Sequence, residues 1–288
     1  MGARRAVVAA LAVIGLFLGG TAAWADEAPL RYVNLGDSYS SGAGIQPAVA
    51  TAPPQCSQSQ LNWAHDIARV KRYQLVDVSC SGADTSDFRA SQSPGVAPQL
   101  NALTADTKLV TLTIGGNDNS VFTSSIQKCA TAAATTAGQG NPCQRAYGDS
   151  FVDTINSSNY PNIVKALKDV RAKAPNARVA ISGYLTILPA TQGCYPIMPI
   201  AAGDVPYLNG IQAALNNAVK RAAQQTGATY LDVTAISQGH DACQSPFKRW
   251  VEPIVPINAA PVHPNFVGEG VMAKNALDVL GLGIGIGL

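Results

Sequence analysis

Five short runs of apolar, β-branched residues, separated by longer stretches of helical character, constrain this chain more than anything else in its sequence. The runs are 31–35, 74–79, 108–114, 178–183 and 229–233. Helices are expected over 62–71, 162–173, 207–226 and 265–280. The third of these repeats Leu208, Ile211, Leu215 and Val219 at a spacing that places them on one face. Strands alternating with helices predict βαβ units and a parallel sheet, with right-handed crossovers putting helices on both faces. The chain is 47% hydrophobic and only 13% charged, ample for a sizeable core. No repeat or linker divides it, so residues 26–288 are read as a single α/β domain. The Ala/Thr/Gly-rich stretch 130–141 is expected to be a surface loop, and the apolar tail 279–288 a terminal element packed on the body.

The first 25 residues read differently. Arg4 and Arg5 precede an apolar run, 6–20, followed by Ala23-Trp24-Ala25. That is the order of a secretory signal peptide, and the run is shorter than the roughly 20 residues needed to span a bilayer. Cleavage after Ala25 removes two Arg and no acid. Lys+Arg then falls from 20 to 18 against 18 Asp+Glu, a formally neutral exported chain. No positive field steers it to nucleic acid, and no integral membrane segment is expected in the mature part. Six cysteines, Cys56, Cys80, Cys129, Cys143, Cys194 and Cys243, suit an oxidising compartment. None forms the close pairs of a metal site. They admit many connectivities; order along the chain favours 56–80, 129–143 and 194–243.

Chemistry gathers where the strands end, the position at which open α/β sheets bind ligands. The first strand runs into Gly36-Asp37-Ser38-Tyr39-Ser40-Ser41-Gly42, which puts a serine at a helix N-terminus, where free N–H groups favour developing negative charge. The second leaves through Ser79-Cys80-Ser81-Gly82-Ala83 and the third through Gly115-Gly116-Asn117-Asp118. Val262-His263-Pro264-Asn265 opens the last helix. Ser38 as nucleophile, His263 as base, and the Ser38 N–H, Gly82 N–H and Asn117 side chain as an oxyanion hole supply what acyl transfer needs.

These blocks, in this order, resemble the SGNH or GDSL hydrolases. The longer strings around Ser38, Gly82 and Asn117 resemble the secreted, three-disulfide actinobacterial lipases and esterases of that family. The resemblance runs from Tyr32 to about Gly270. It implies a flavodoxin-like three-layer α/β/α sandwich with a five-stranded parallel sheet, ester hydrolysis through an acyl-enzyme, and the sequential disulfides. Many members carry an Asp three residues before the histidine; here Ala260 stands there. A Ser38–His263 dyad is therefore expected, its imidazole held by the main-chain carbonyl of Ala260, with Asp241 or Glu252 as the alternative orienting acid.

Rival assignments exist for most of these residues. Ser38 could be a plain N-cap, and Ser237, in Ile236-Ser237-Gln238-Gly239, partly mimics a nucleophile elbow. His65 lies in a helical stretch and reads as packing; His240 sits beside Asp241. Asp37 is expected to be a structural hydrogen-bonder. The apolar stretch 183–205 is a candidate wall for an acyl chain, with Phe247 and Trp250 as lesser ones. No metal or cofactor motif is present. The expected protein is a secreted, monomeric serine esterase or lipase acting on lipidic acyl esters, with transient contact to a lipid surface. A carbohydrate O-deacetylase on the same fold, or a non-catalytic binding protein, is the alternative.

Overall fold

The computed structural model describes residues 28–283. The expected signal peptide lies outside the described residues, as does the end of the tail, 284–288. Five parallel strands form one sheet in the order β2-β1-β3-β4-β5. They are β1 Arg31–Gly36, β2 Gln74–Asp77, β3 Leu109–Thr113, β4 Arg178–Ser182 and β5 Thr229–Leu231. Each falls within one residue of its expected start. β2 and β5 stop two residues early because an aspartate turns the chain: Asp77 accepts from the Ser79 N–H and hydroxyl, and Asp232 from the Thr234 N–H.

The helices are α1 Ser38–Ser41, α2 Trp63–Lys71, α3 Val121–Thr135, α4 Pro142–Tyr147, α5 Ser150–Thr154, α6 Tyr160–Lys173, α7 Val205–Thr226, α8 Thr234–Ser237 and α9 Phe266–Val279. Helix α2 packs against α9 and α6 against α7, completing a three-layer α/β/α arrangement. All five residues of β3, the central strand, are buried, as a strand covered on both faces must be. Among the described residues, no helix is long and apolar enough to cross a membrane.

One expectation fails. The stretch 130–141 is not a loop throughout: α3 continues through it to Thr135, leaving only 136–141 to connect to α4. Alanine is the best helix former, and Cys129–Cys143 pins α3 to α4. The other bridges are Cys56–Cys80 and Cys194–Cys243. The first holds the segment before α2 beside the exit of β2. The second joins the loop after β4 to the loop after α8.

The chain leaves β1 toward β2 on one side of the sheet and reaches β3 on the other. The carboxyl ends of β1 and β3 thus form the switch point of the topology, where a crevice opens. Gly36 is held tightly there. Its φ is +115°, and a Cβ would lie 2.2 Å from the Thr113 carbonyl, so only glycine fits. The Gln99 side-chain amide pairs with it on both sides, accepting from its N–H at 2.7 Å and donating to its carbonyl at 2.9 Å.

Candidate active site

Ser38 is the first residue of α1, just past β1. Asp37 caps the helix by accepting from the Tyr39 N–H at 3.0 Å, which leaves the Ser38 side chain free of the capping role. Its hydroxyl lies 2.7 Å from Nε2 of His263, 225 residues away. Nδ1 of the same ring lies 2.7 Å from the Pro261 carbonyl oxygen. A carbonyl only accepts, so Nδ1 carries the proton and Nε2 is left to accept from the serine.

The orienting carbonyl belongs to Pro261 and not to Ala260. The Ala260 carbonyl closes a turn by accepting from the His263 N–H at 3.2 Å, so it points along the chain and away from the ring. Neither alternative acid reaches the imidazole. Asp241 accepts from the Cys243 N–H and the Gln244 amide. Glu252 accepts from Arg249 at 2.6 Å, the Ile257 N–H at 3.0 Å and Asn265 at 3.3 Å. Burial pushes the Glu252 carboxyl up, but those bonds hold it below its usual 4.5. Its part is to brace the base of the histidine loop, where Val251 pairs with Pro264 and the Glu252 and His263 backbones bond at 2.9 Å.

Two tyrosines that no sequence motif marks shape the site, one at this loop and one at Asp37. The Tyr39 hydroxyl donates to the Val262 carbonyl at 2.8 Å. Val262 has φ +61°, a conformation costly for a β-branched residue, so Tyr39 secures a strained residue between the orienting carbonyl and the imidazole. The Tyr184 hydroxyl donates to Asp37 at 2.6 Å and accepts from the Gly116 N–H at 2.9 Å. Asp37 also accepts from Thr113 at 2.6 Å. Burial, opposed by these bonds, pushes its carboxyl up to about 6. With its oxygens thus engaged, Asp37 is a structural hub. Burial also lowers the His263 imidazole from its ordinary 6.5, against an upward pull from its bond to Pro261.

The Gly82 loop lies next to the Cys56–Cys80 bridge, where the Cys80 N–H donates to the Gly36 carbonyl at 2.9 Å. Asn117 donates to the Ala83 carbonyl at 2.9 Å, and Asp118 accepts from both the N–H and hydroxyl of Thr85. The exits of β2 and β3 are thereby clamped together. Among the described residues the Ser38 and Gly82 N–H groups have no protein acceptor. The remaining rivals lie elsewhere. The Ser237 hydroxyl is tied to the Val233 carbonyl at 2.7 Å. His240 bonds the Lys248 carbonyl and stacks on Trp250 at 3.8 Å. His65 lies 3.7 Å from Asp77.

An apolar crevice opens beside the imidazole. Phe122 and Tyr39 flank the His263 ring, at 5.9 and 5.2 Å between centroids. Phe122 and Tyr184 also line the crevice, together with Ile187, Met198 and the Ile211–Leu215 face of α7. Its free volume is about 40 Å³. Part of the 183–205 stretch is therefore a wall, whereas Phe247 and Trp250 lie outside.

Residues 35–270 match the model of the GDSL-like lipase/acylhydrolase family. The chain belongs to that family. It is a carboxylic ester hydrolase. This GDSL hydrolase is 51% identical to Lipase 2 of Streptomyces coelicolor over 97% of this chain and 98% of that protein. It superposes on phospholipase A1 from Streptomyces albidoflavus NA297 with a TM-score of 0.72 and 27% identity, over 88% of this chain and 99% of that one. The extracellular lipase of Streptomyces rimosus shares the fold, with a TM-score of 0.71 at 24% identity, over 88% of this chain and all of that one.

Proposed function

We propose that this chain is a secreted, monomeric esterase or lipase that hydrolyses lipidic acyl esters through an acyl-enzyme on Ser38. Ser38 Oγ attacks the ester carbonyl carbon as its proton passes to Nε2 of His263. The oxyanion forms against the Ser38 and Gly82 N–H groups and the Asn117 amide, donors each worth about 3 kcal/mol of barrier. Collapse breaks the C–O bond, and the imidazolium returns its proton to the departing alkoxide. Water then attacks the acyl-serine and gives its proton to His263, which passes it to Ser38 Oγ as the acyl–oxygen bond breaks, leaving a carboxylic acid and free Ser38. The Pro261 carbonyl keeps Nδ1 protonated throughout, in place of a carboxylate.

The observation that carries this reading is the 2.7 Å contact between Ser38 Oγ and an Nε2 whose tautomer is set by the Pro261 carbonyl. Export is supported by the three disulfides and the leader-like N-terminus. The apolar crevice supports a lipidic acyl group. Met198 lines it, a side chain suited to the repacking that a longer chain requires.

A fluorophosphonate probe tests the nucleophile. Labelling is expected on the purified protein and not on Ser38→Ala; equal labelling of both defeats the assignment. A p-nitrophenyl ester series, with acetylated xylan alongside, tests the substrate class. Activity confined to acetyl esters would replace the lipidic reading with deacetylation.

A further inference from the structure

The exposed large apolar side chains are distributed unevenly over this molecule. Among the described residues there are ten. Helices packed on a parallel sheet run against its strands, so the last turns of α2 and α9 lie at the amino end of the sheet. Val70 and Val279 stand there. The other eight lie on loops or helix starts at the carboxyl end, where Ser38 and His263 are. The most prominent are Phe247, fully exposed, Val255 at 81% and Ile257 at 68%.

These three residues extend from the polar hub that braces the histidine loop. Phe247 tops the turn closed by the Lys248 and Arg249 N–H groups on the Ser245 carbonyl. Arg249 binds Glu252, and Glu252 holds the Ile257 N–H. Val255 and Ile257 thus stand on the loop between the paired residues Val251 and Pro264, whose far side carries His263 into the site. Charge has been cleared from this region as well. Between residues 241 and 273, Asp241, Arg249, Glu252 and Glu269 are all buried, which leaves Lys248 as the one exposed charged side chain. Rigidly held apolar tips without exposed carboxylates suit insertion into a headgroup layer.

We propose that the loop tips bearing Phe247, Val255 and Ile257 seat the enzyme on an ester-lipid surface, with the mouth of the Ser38–His263 site facing the lipid. The inference rests on the ester-hydrolase reading only for the direction in which the site faces. Seating itself requires no turnover.

The test separates the two. Ser38→Ala protein is sedimented with phosphatidylcholine vesicles, alone and with Phe247→Ser, Val255→Ser and Ile257→Ser added. Partitioning should fall about a hundredfold in the combined variant. A control carrying Val70→Ser and Val279→Ser should bind vesicles as the parent does. With Ser38 intact, the triple variant should keep its rate on soluble p-nitrophenyl acetate and its melting temperature, and lose about tenfold on vesicle-borne ester. No vesicle binding by the parent, or equal loss in the Val70/Val279 control, overturns the surface assignment. Protein with Ser38 intact that is inert on soluble ester, while the Ser38→Ala protein binds vesicles, would instead defeat the hydrolytic reading and leave the surface standing.

Discussion

Tyr39 follows the proposed nucleophile, yet its hydroxyl bonds the loop that carries the proposed base. Removing it leaves the Val262 carbonyl without its donor and the φ +61° backbone free to relax. Tyr39→Phe should lower kcat on a soluble ester about tenfold, with KM nearly unchanged, because a small misplacement of a catalytic group is costly in rate. An equal loss in fluorophosphonate labelling rate would tie the effect to the Ser38–His263 pair. A lower melting temperature with kcat unchanged would make the tyrosine merely structural. The imidazole makes its own prediction. A protonated ring cannot take the serine proton, so activity is lost as pH falls through its pKa. Burial places that limb below 6.5; a limb above 6.5 would contradict the environment described. None of the tyrosine chemistry was legible in the sequence. The Tyr39–Val262 and Tyr184–Asp37 bonds join residues 223 and 147 apart, and no local pattern marks such partners. The choice of Pro261 over Ala260 was hidden for a related reason: spacing brings a carbonyl near the ring, but turn geometry decides which one.

At the scale of elements, the strands were legible because β-branched runs end at Gly36, Gly82 and Gly115. Helix α3 was not. After Ile126 its residues are mostly Ala, Thr and polar side chains that mark a face only weakly, and it is held by the disulfide to α4 as well as by a buried face of Val121, Ser125, Cys129 and Ala133. It matters because α3 and α7 are opposite walls of the crevice. The one face of α7 that periodicity did reveal, Leu208, Ile211 and Leu215, lines that crevice. Ile211→Trp should fill it, cutting the rate on octanoyl or longer esters at least tenfold while sparing acetate. Equal loss on both would place the acyl chain elsewhere.

For the molecule as a whole, Glu269 is a buried acid on α9. It accepts from the Trp63 N–H of α2 at 2.9 Å, and its second oxygen has no partner. Burial holds its pKa well above 4.5. The folded chain therefore keeps this proton to higher pH than the unfolded chain, and its contribution to stability falls as pH rises above 4.5. Glu269→Gln removes that slope, so the variant should gain melting temperature over the parent between pH 5 and 8. Parallel curves would show that the carboxyl ionises freely. The Cys194–Cys243 bridge spans 49 residues, so its loss through Cys194→Ala with Cys243→Ala should cost about 4 kcal/mol of stability. An unchanged denaturation midpoint would refute that. Because the bridge anchors the loop bearing Met198, octanoyl ester turnover should decline before acetate turnover does. The Pro261 contact has a consequence for the medium in which the enzyme works. A triad carboxylate is a full ion, whose pull on the imidazolium weakens as dissolved ions accumulate. Here the orienting group is a neutral peptide dipole. Brine and dilute buffer should therefore leave the basicity of His263 equally intact.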